Sequence, residues 1–147
     1  MIYTLDSNVV VNALRQPHEL DRLKAFLLWA LQRTVLSSVV AAELTAGART
    51  DGARRDLERV LLGAFERRTR IVAPSEGAWR RTGSLLAVTP PMNAGGSRQN
   101  DLLLAAQARE SGWTVVTRDR DFEDLRSLIG GLKVVAPFPE RPGGFVA

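Results

Sequence analysis

The sequence predicts a parallel α/β sheet of about five strands with helices on both faces. Three observations carry this expectation. Short apolar, β-branched runs recur along the chain at residues 2–5, 34–37, 70–73, 114–117 and 133–136. The stretches between them carry helical spacing of their apolar residues, and the links are short. Strands alternating with helices through short links form a right-handed parallel sheet whose faces the helices cover.

Each element has its own local reason. Ile2-Tyr3-Thr4-Leu5 ends at Asp6-Ser7-Asn8, and the run from Val9 to Arg15 reads as a short helix stopped by Pro17. Leu20, Leu23, Leu27 and Leu31 repeat at helical spacing, giving a second helix before strand 34–37. Ser38 is placed to cap a third helix that runs through Val39, Val40, Ala42, Glu43 and Leu44 toward Gly47. Leu57, Val60, Leu61, Ala64 and Phe65 recur three, four, seven and eight residues apart, so an amphipathic helix follows with its arginines on the wet side. Strand 70–73 stops before Pro74, and a helix over 75–86 precedes the Pro/Gly-rich segment 90–96, predicted to be a mobile loop. Asn100-Asp101 opens a helix through residue 110 that Gly112 closes, and residues 121–129 form the last helix.

With 147 residues, 45% of them hydrophobic, the chain can bury a proper core, and residues 1–147 are expected to form one domain. It contains no cysteine and one histidine, which excludes thiolate chemistry and an imidazole-rich zinc centre. A metal would have to be held by oxygen. His18 follows Pro17 in a connecting segment and reads as a surface residue rather than a general base. The N-terminal segment has no basic region and meets Asp6 at once, unlike a signal peptide, and no charge-free run is long enough to span a membrane. A soluble cytoplasmic protein with no membrane partner is the expectation.

Charge is unevenly placed. Between Arg49 and Arg81 nine arginines face five acids, an excess equal to the net charge of +4 for the whole chain. Arginine's planar fork suits phosphate, so Arg54, Arg55 and Arg59 are candidate nucleic-acid contacts, with an ordinary solvated face as the alternative.

Ligand sites in open parallel sheets lie beyond the carboxyl ends of the strands, where Asp6 follows strand one and Asp119 follows strand four. Both should face one crevice. Taken singly, each also reads as the N-cap of the next helix, and Asp101 likewise complements a helix dipole. Glu43 falls on a stripe with Val39 and Val40, where a carboxylate needs a cation, a shifted pKa or a salt bridge to an arginine. Asp121 could equally belong to the charged first turn of a helix.

Together, Leu5-Asp6-Ser7-Asn8, Ser37-Ser38-Val39-Val40-Ala41-Ala42-Glu43-Leu44, Asn100-Asp101-Leu102-Leu103-Leu104-Ala105-Ala106 and Val116-Thr117-Arg118-Asp119-Arg120-Asp121-Phe122 resemble PIN-domain ribonucleases of the VapC toxin family. The resemblance runs in order from Ile2 to about Val135. It implies a PIN-like sheet and a metal-dependent RNA endonuclease, the toxin of a type II toxin–antitoxin pair, silenced by a VapB-type antitoxin and forming a homodimer. It also implies roles for Asp6, Glu43, Asp101 and Asp119 as the acidic cluster, for Asn8 and Thr117 as supporting residues, and for Asp121 as an outer metal ligand. Carboxylates suit hard Mg²⁺ or Mn²⁺, and their crowding is unfavourable until a divalent cation neutralises them. Metal-activated water then hydrolyses the phosphodiester without a side-chain nucleophile. The arginine stretch and the 90–96 loop match no motif of the family.

Other classes fit less well. A receiver-like phosphotransfer domain needs an adjacent acidic pair after strand one and a lysine at the site, whereas Asp6 stands alone and the only lysines are Lys24 and Lys133. A PIN-like RNA-processing nuclease without an antitoxin remains an alternative, as does a non-catalytic RNA- or protein-binding module, which would have no need of Glu43 on an apolar face. Phe26 and Trp29 lie on the second helix beside a full leucine stripe, so they either widen the core contact or, as the resemblance favours, leave apolar surface for an antitoxin.

Overall fold

The computed structural model describes residues 1–89 and 98–143. The expected 90–96 loop lies outside them.

Strands β1 (Ile2–Leu5), β2 (Thr34–Ser37), β3 (Ile71–Val72), β4 (Trp113–Val116) and β5 (Lys133–Val135) form one parallel sheet in the order β3-β2-β1-β4-β5. Between them run α1 (Ser7–Arg15), α2 (Pro17–Ala30), α3 (Ser38–Gly47), α4 (Asp51–Leu57), α5 (Gly63–Arg67), α6 (Glu76–Val88), α7 (Arg98–Ser111) and α8 (Asp121–Leu128). Tyr3, Thr4 and Leu5 of β1 are buried, and so is every residue of β4. Both faces of the sheet's centre are therefore covered, as the sequence predicts for near-continuous apolar strands.

The helices begin where side-chain oxygens can take up free backbone N–H groups. Asp6 caps α1, Thr50 caps α4 and Ser75 caps α6. The cap of α3 is Ser37 rather than Ser38, because the serine that closes the extended strand is the one with non-helical backbone. Pro17 does not merely stop α1. It opens α2 at the first helical position, where its missing N–H costs nothing. Gly112, with a φ of 75°, ends α7 in the left-handed conformation that favours glycine.

Between α4 and α5 the helix widens into a π turn over Glu58–Leu62. The widened turn brings the Glu58 carbonyl oxygen to 2.8 Å from the place where a Cβ on Gly63 would sit, so glycine is required there. Leu57, Leu61, Leu62 and Phe65 still reach the core across the turn.

One expectation fails on α2. Its buried face is Glu19, Leu23, Phe26 and Ala30, while Leu28 is 90% exposed. Phe26 sits in the core, edge-on to Tyr3 and Trp29 with ring centroids 5.4 and 5.3 Å away. Trp29 is only partly exposed and packs edge-on against Tyr3. The aromatic pair therefore belongs to the core contact and does not form a docking patch.

Gln107 fixes the sheet to α7 from inside. Its amide oxygen accepts from the Ser37 hydroxyl at 2.5 Å and its nitrogen donates to the Val72 carbonyl at 2.9 Å. A buried amide of this kind must be satisfied, and these two bonds set the height of α7 against β2 and β3.

Candidate active site

β1 and β4 are hydrogen-bonded neighbours with Leu5 opposite Val116, so the residues that follow them emerge side by side at the carboxyl edge. Those residues are Asp6 and Thr117, both buried. Asp6 Oδ1 accepts from the Ser7 N–H and Oδ2 from the Thr117 hydroxyl, each at 2.8 Å. Asp6 is thus a helix cap and a member of the crevice at once; the two readings of its sequence are both true. Thr117 Oγ1 in turn accepts from Asn8 Nδ2 at 3.3 Å and from the Asp119 N–H at 3.0 Å. Asn8 Oδ1 accepts from the Arg118 N–H at 3.3 Å, and Asp119 Oδ1 from the Asp121 N–H at 2.9 Å. One hydroxyl therefore gathers the loops after β1 and β4.

The other acids arrive on helices. Asp101 lies in the first turn of α7, which begins at Arg98, two residues before the expected start. Glu43 projects from the middle of α3, half-buried. It forms no ion pair with an arginine among the described residues; its polar neighbour is the side chain of Asn100.

Electrostatics tie the set together. Burial raises the Asp6 carboxyl above its ordinary range against the hydrogen bonds of Thr117 and Ser7, and the charge of Asp119 adds to the rise. Glu43 is raised by burial and then by Asp6, with Asn100 opposing. Asp101 is pushed up to about 7, first by burial and then by the charges of Asp6, Asp119, Glu43 and Asp121. The sequence-predicted acids therefore converge, with Asp121 the exposed member at the start of α8.

Among the described residues, no three acidic or imidazole side chains close tightly enough to enclose an ion as they stand. The coupling is the more telling observation: Asp101 feels four other carboxylates. An all-oxygen donor set that penalises its own ionisation fits a hard divalent cation.

Arg54, Arg55 and Arg59 do not join the crevice. They are exposed on α4 and the π turn, and Arg54 and Arg59 pair with Asp51 and Asp56 at 3.2 and 2.9 Å. A groove of about 260 Å³ separates that region from the acids, lined by Val11, Leu14, Leu44, Ala53 and Leu57 with Glu43 at its edge.

Several residues escaped the sequence reading. Glu19 is buried on α2 and bonds to Arg118, beside the site, and to Arg22 at 3.1 Å. Burial works against its ionisation, but the hydrogen bonds and charges of Arg118 and Arg22 outweigh it and hold its pKa below the usual range. Arg22 continues the link to the Pro137 carbonyl at 3.0 Å. No local pattern announces that pairing, whereas Gln107 had a signal, being one polar residue inside the apolar run from Leu102 to Ala108.

The chain belongs to the PIN domain family, whose model matches residues 3–128. No curated protein matches it in sequence. Among solved structures it is similar in fold to DNA-bound VapBC from Salmonella typhimurium, with a TM-score of 0.67 and 23% identity over 92% of this chain and 98% of that one. FitAcB from Neisseria gonorrhoeae gives a TM-score of 0.65 and 23% identity, covering 90% and 96% of the two chains. VapBC2 from Rickettsia felis, bound to a promoter DNA fragment, gives 0.63 and 23%, covering 92% and 98%. No helix among the described residues is long and apolar enough to cross a membrane.

Proposed function

We propose that this protein is a metal-dependent RNA endonuclease acting as the toxin of a type II toxin–antitoxin pair. The observation that carries the nuclease reading is the convergence of Asp6, Glu43, Asp101 and Asp119; burial first, and then the charges of the other acids, push the Asp101 pKa up to about 7. Membership of the PIN family and likeness to chains of VapBC complexes support it.

Asp6, Glu43, Asp101 and Asp119 would hold Mg²⁺ or Mn²⁺, with Asp121 as an outer ligand. Such an ion supplies Lewis acidity, lowering the pKa of water and neutralising charge on the phosphodiester. The chain's own residues prepare the place. Thr117 and the Ser7 N–H fix both oxygens of Asp6, so its orientation is set before any ligand arrives. Asn8, through Thr117, keeps the two strand ends in register. Asn100 steadies Glu43. Arg54, Arg55 and Arg59 would meet RNA phosphates at a distance from the acids, across the groove, with Arg54 and Arg59 exchanging Asp51 and Asp56 for the backbone.

One experiment tests these assignments. Purified protein incubated with mixed RNA is expected to cleave it with Mg²⁺ or Mn²⁺ and to stop in EDTA. The triple Arg54→Ala, Arg55→Ala, Arg59→Ala protein should bind RNA with a shallower salt dependence and an intact metal requirement. Undiminished cleavage in EDTA would sink the metal assignment; an unchanged salt slope would return the arginines to solvent.

The antitoxin reading has its own test. The groove of Val11, Leu14, Leu44, Ala53 and Leu57, whose lining also includes Glu43, Asp56 and Arg15, suits an amphipathic segment carrying a basic residue for the acids, and Leu14 is 38% exposed. If a small open reading frame lies beside its gene, co-expression with that product is expected to give a stable, inactive complex, and Leu14→Glu to release both binding and inhibition. Failure to co-purify or inhibit removes the toxin role and leaves the nuclease. A homodimer belongs to the same reading, and sedimentation of the purified chain measures it.

A further inference from the structure

Arg118 stands between the hub and an acid of the crevice, yet its charge is committed elsewhere. Its chain neighbours are Thr117, which bonds to Asp6, and Asp119. Its backbone N–H donates to Asn8, while its guanidinium pairs with Glu19 on α2, its only ion-pair partner among the described residues. Glu19 is buried, and a second arginine fixes it from the other side. Arg22 bonds to Glu19 at 3.1 Å, donates to the Pro137 carbonyl at 3.0 Å and lies over the Phe138 ring, 5.4 Å from its centroid. The charges that act on Asp6, Glu43 and Asp101 are those of other acids of the crevice, and neither Glu19 nor Arg118 is among them.

We propose that Glu19 is a positioning residue that keeps the Arg118 guanidinium out of the acidic crevice, leaving the carboxylates free for a divalent cation. The inference rests on the metal-site reading above. Carboxylates crowded without a cation attract any positive charge within reach, and an arginine fork matches a carboxylate in geometry as well as in charge. An unpaired Arg118, adjoining Asp119 in the chain, would turn to those acids and compete with the metal for the same oxygens. Glu19 prevents this because a buried carboxylate strongly resists losing its partner. Arg22 and the Pro137-Phe138 segment hold Glu19 in place, so the cation is tied to α2 before any ligand arrives.

Mn²⁺ binding to the full chain, read from the loss of the free-ion electron paramagnetic resonance signal, tests this without RNA. Glu19→Gln, which keeps the side chain's shape, is expected to bind Mn²⁺ about tenfold more weakly than wild type, as for loss of a residue outside the ligand set. Adding Arg118→Gln to Glu19→Gln should return the affinity to near the wild-type value, because the released cation is gone. Arg22→Gln also takes a partner from Glu19 but leaves Arg118 paired, so it should lower the melting temperature and leave Mn²⁺ affinity unchanged. If Glu19→Gln melts at the working temperature, Glu19→Asp, one methylene too short to hold both arginines, carries the same comparison. Unchanged Mn²⁺ binding by Glu19→Gln overturns the proposal. So does a double variant as weak as Glu19→Gln alone, or an Arg22→Gln protein equally weak, either of which would make Glu19 a plain support of the fold. These three outcomes leave the metal-site reading standing, whereas a wild-type chain that binds no Mn²⁺ overturns that reading together with this inference.

Discussion

Asp101→Asn is expected to lower RNA cleavage at saturating Mg²⁺ by at least about 100-fold, more than loss of an outer partner costs a metal site, while making the metal-free protein more stable at neutral pH. Both effects follow from the same crowding. In the folded chain the Asp101 pKa stands at about 7 against an ordinary 3.8. The folded state therefore binds a proton that the unfolded chain releases, and stability contributed by the protonated group is fully present below about pH 4. It drains away as pH rises through the window from about 4 to 7. At one pKa unit per 1.36 kcal/mol, the ionised form carries a penalty with a ceiling of about 4 kcal/mol. Asparagine has no proton to lose, so the variant should gain on the wild type across that window and keep the gain above it. Urea unfolding in EDTA at pH 5 and pH 8 reads the difference, and cleavage assays read the loss. A variant indistinguishable from wild type in both would remove Asp101 from the site.

Thr117→Val tests the hub. The swap keeps the side chain's shape but removes the donor to Asp6 Oδ2 and the acceptor for Asn8 and the Asp119 N–H. Stranding buried polar groups costs about 1–3 kcal/mol. Without the Thr117 hydrogen bond, which lowers the Asp6 pKa, that carboxyl becomes harder to ionise. Cleavage is expected to fall roughly 10- to 100-fold, as for other residues that orient a metal ligand. Thr117→Ser, which keeps the hydroxyl, should restore most of the activity. A fully active Thr117→Val protein would show that Asp6 needs no such anchor.

Much of the fold could be read from the chain because strands and helices alternate with clean periods, and parallel strands in this order leave their ends on one edge. The acids were legible for two reasons. Asp6 and Asp119 follow strands directly, and Glu43 interrupts an apolar stripe. Other features depend on partners far away. The leucine repeat of α2 pointed one way, but the helix is rotated so that Phe26 and Glu19 turn inward. Glu19 tolerates that only because Arg118, distant in sequence, meets it. The π turn over Glu58–Leu62 was equally hidden, since one added residue in a helix leaves the apolar spacing nearly intact. Asn100 sat beside a predicted acid, and only the packing of α7 against α3 gave it a role.

The hydrogen bond from Thr117 to Asp6 joins residues 111 positions apart, and β1 lies between strands made early and late in the chain. During synthesis, the N-terminal strand and its carboxylate emerge long before the strand that completes them. Asp101 emerges shortly before that strand and Asp119 just after it. A growing chain therefore carries an unfinished crevice until most of it has left the ribosome, because long-range parallel pairing cannot close sooner. Prematurely ended products lacking β4 would be inert whatever their first half contains. Under the proposed RNA-cleaving function, such timing would spare the message still being read.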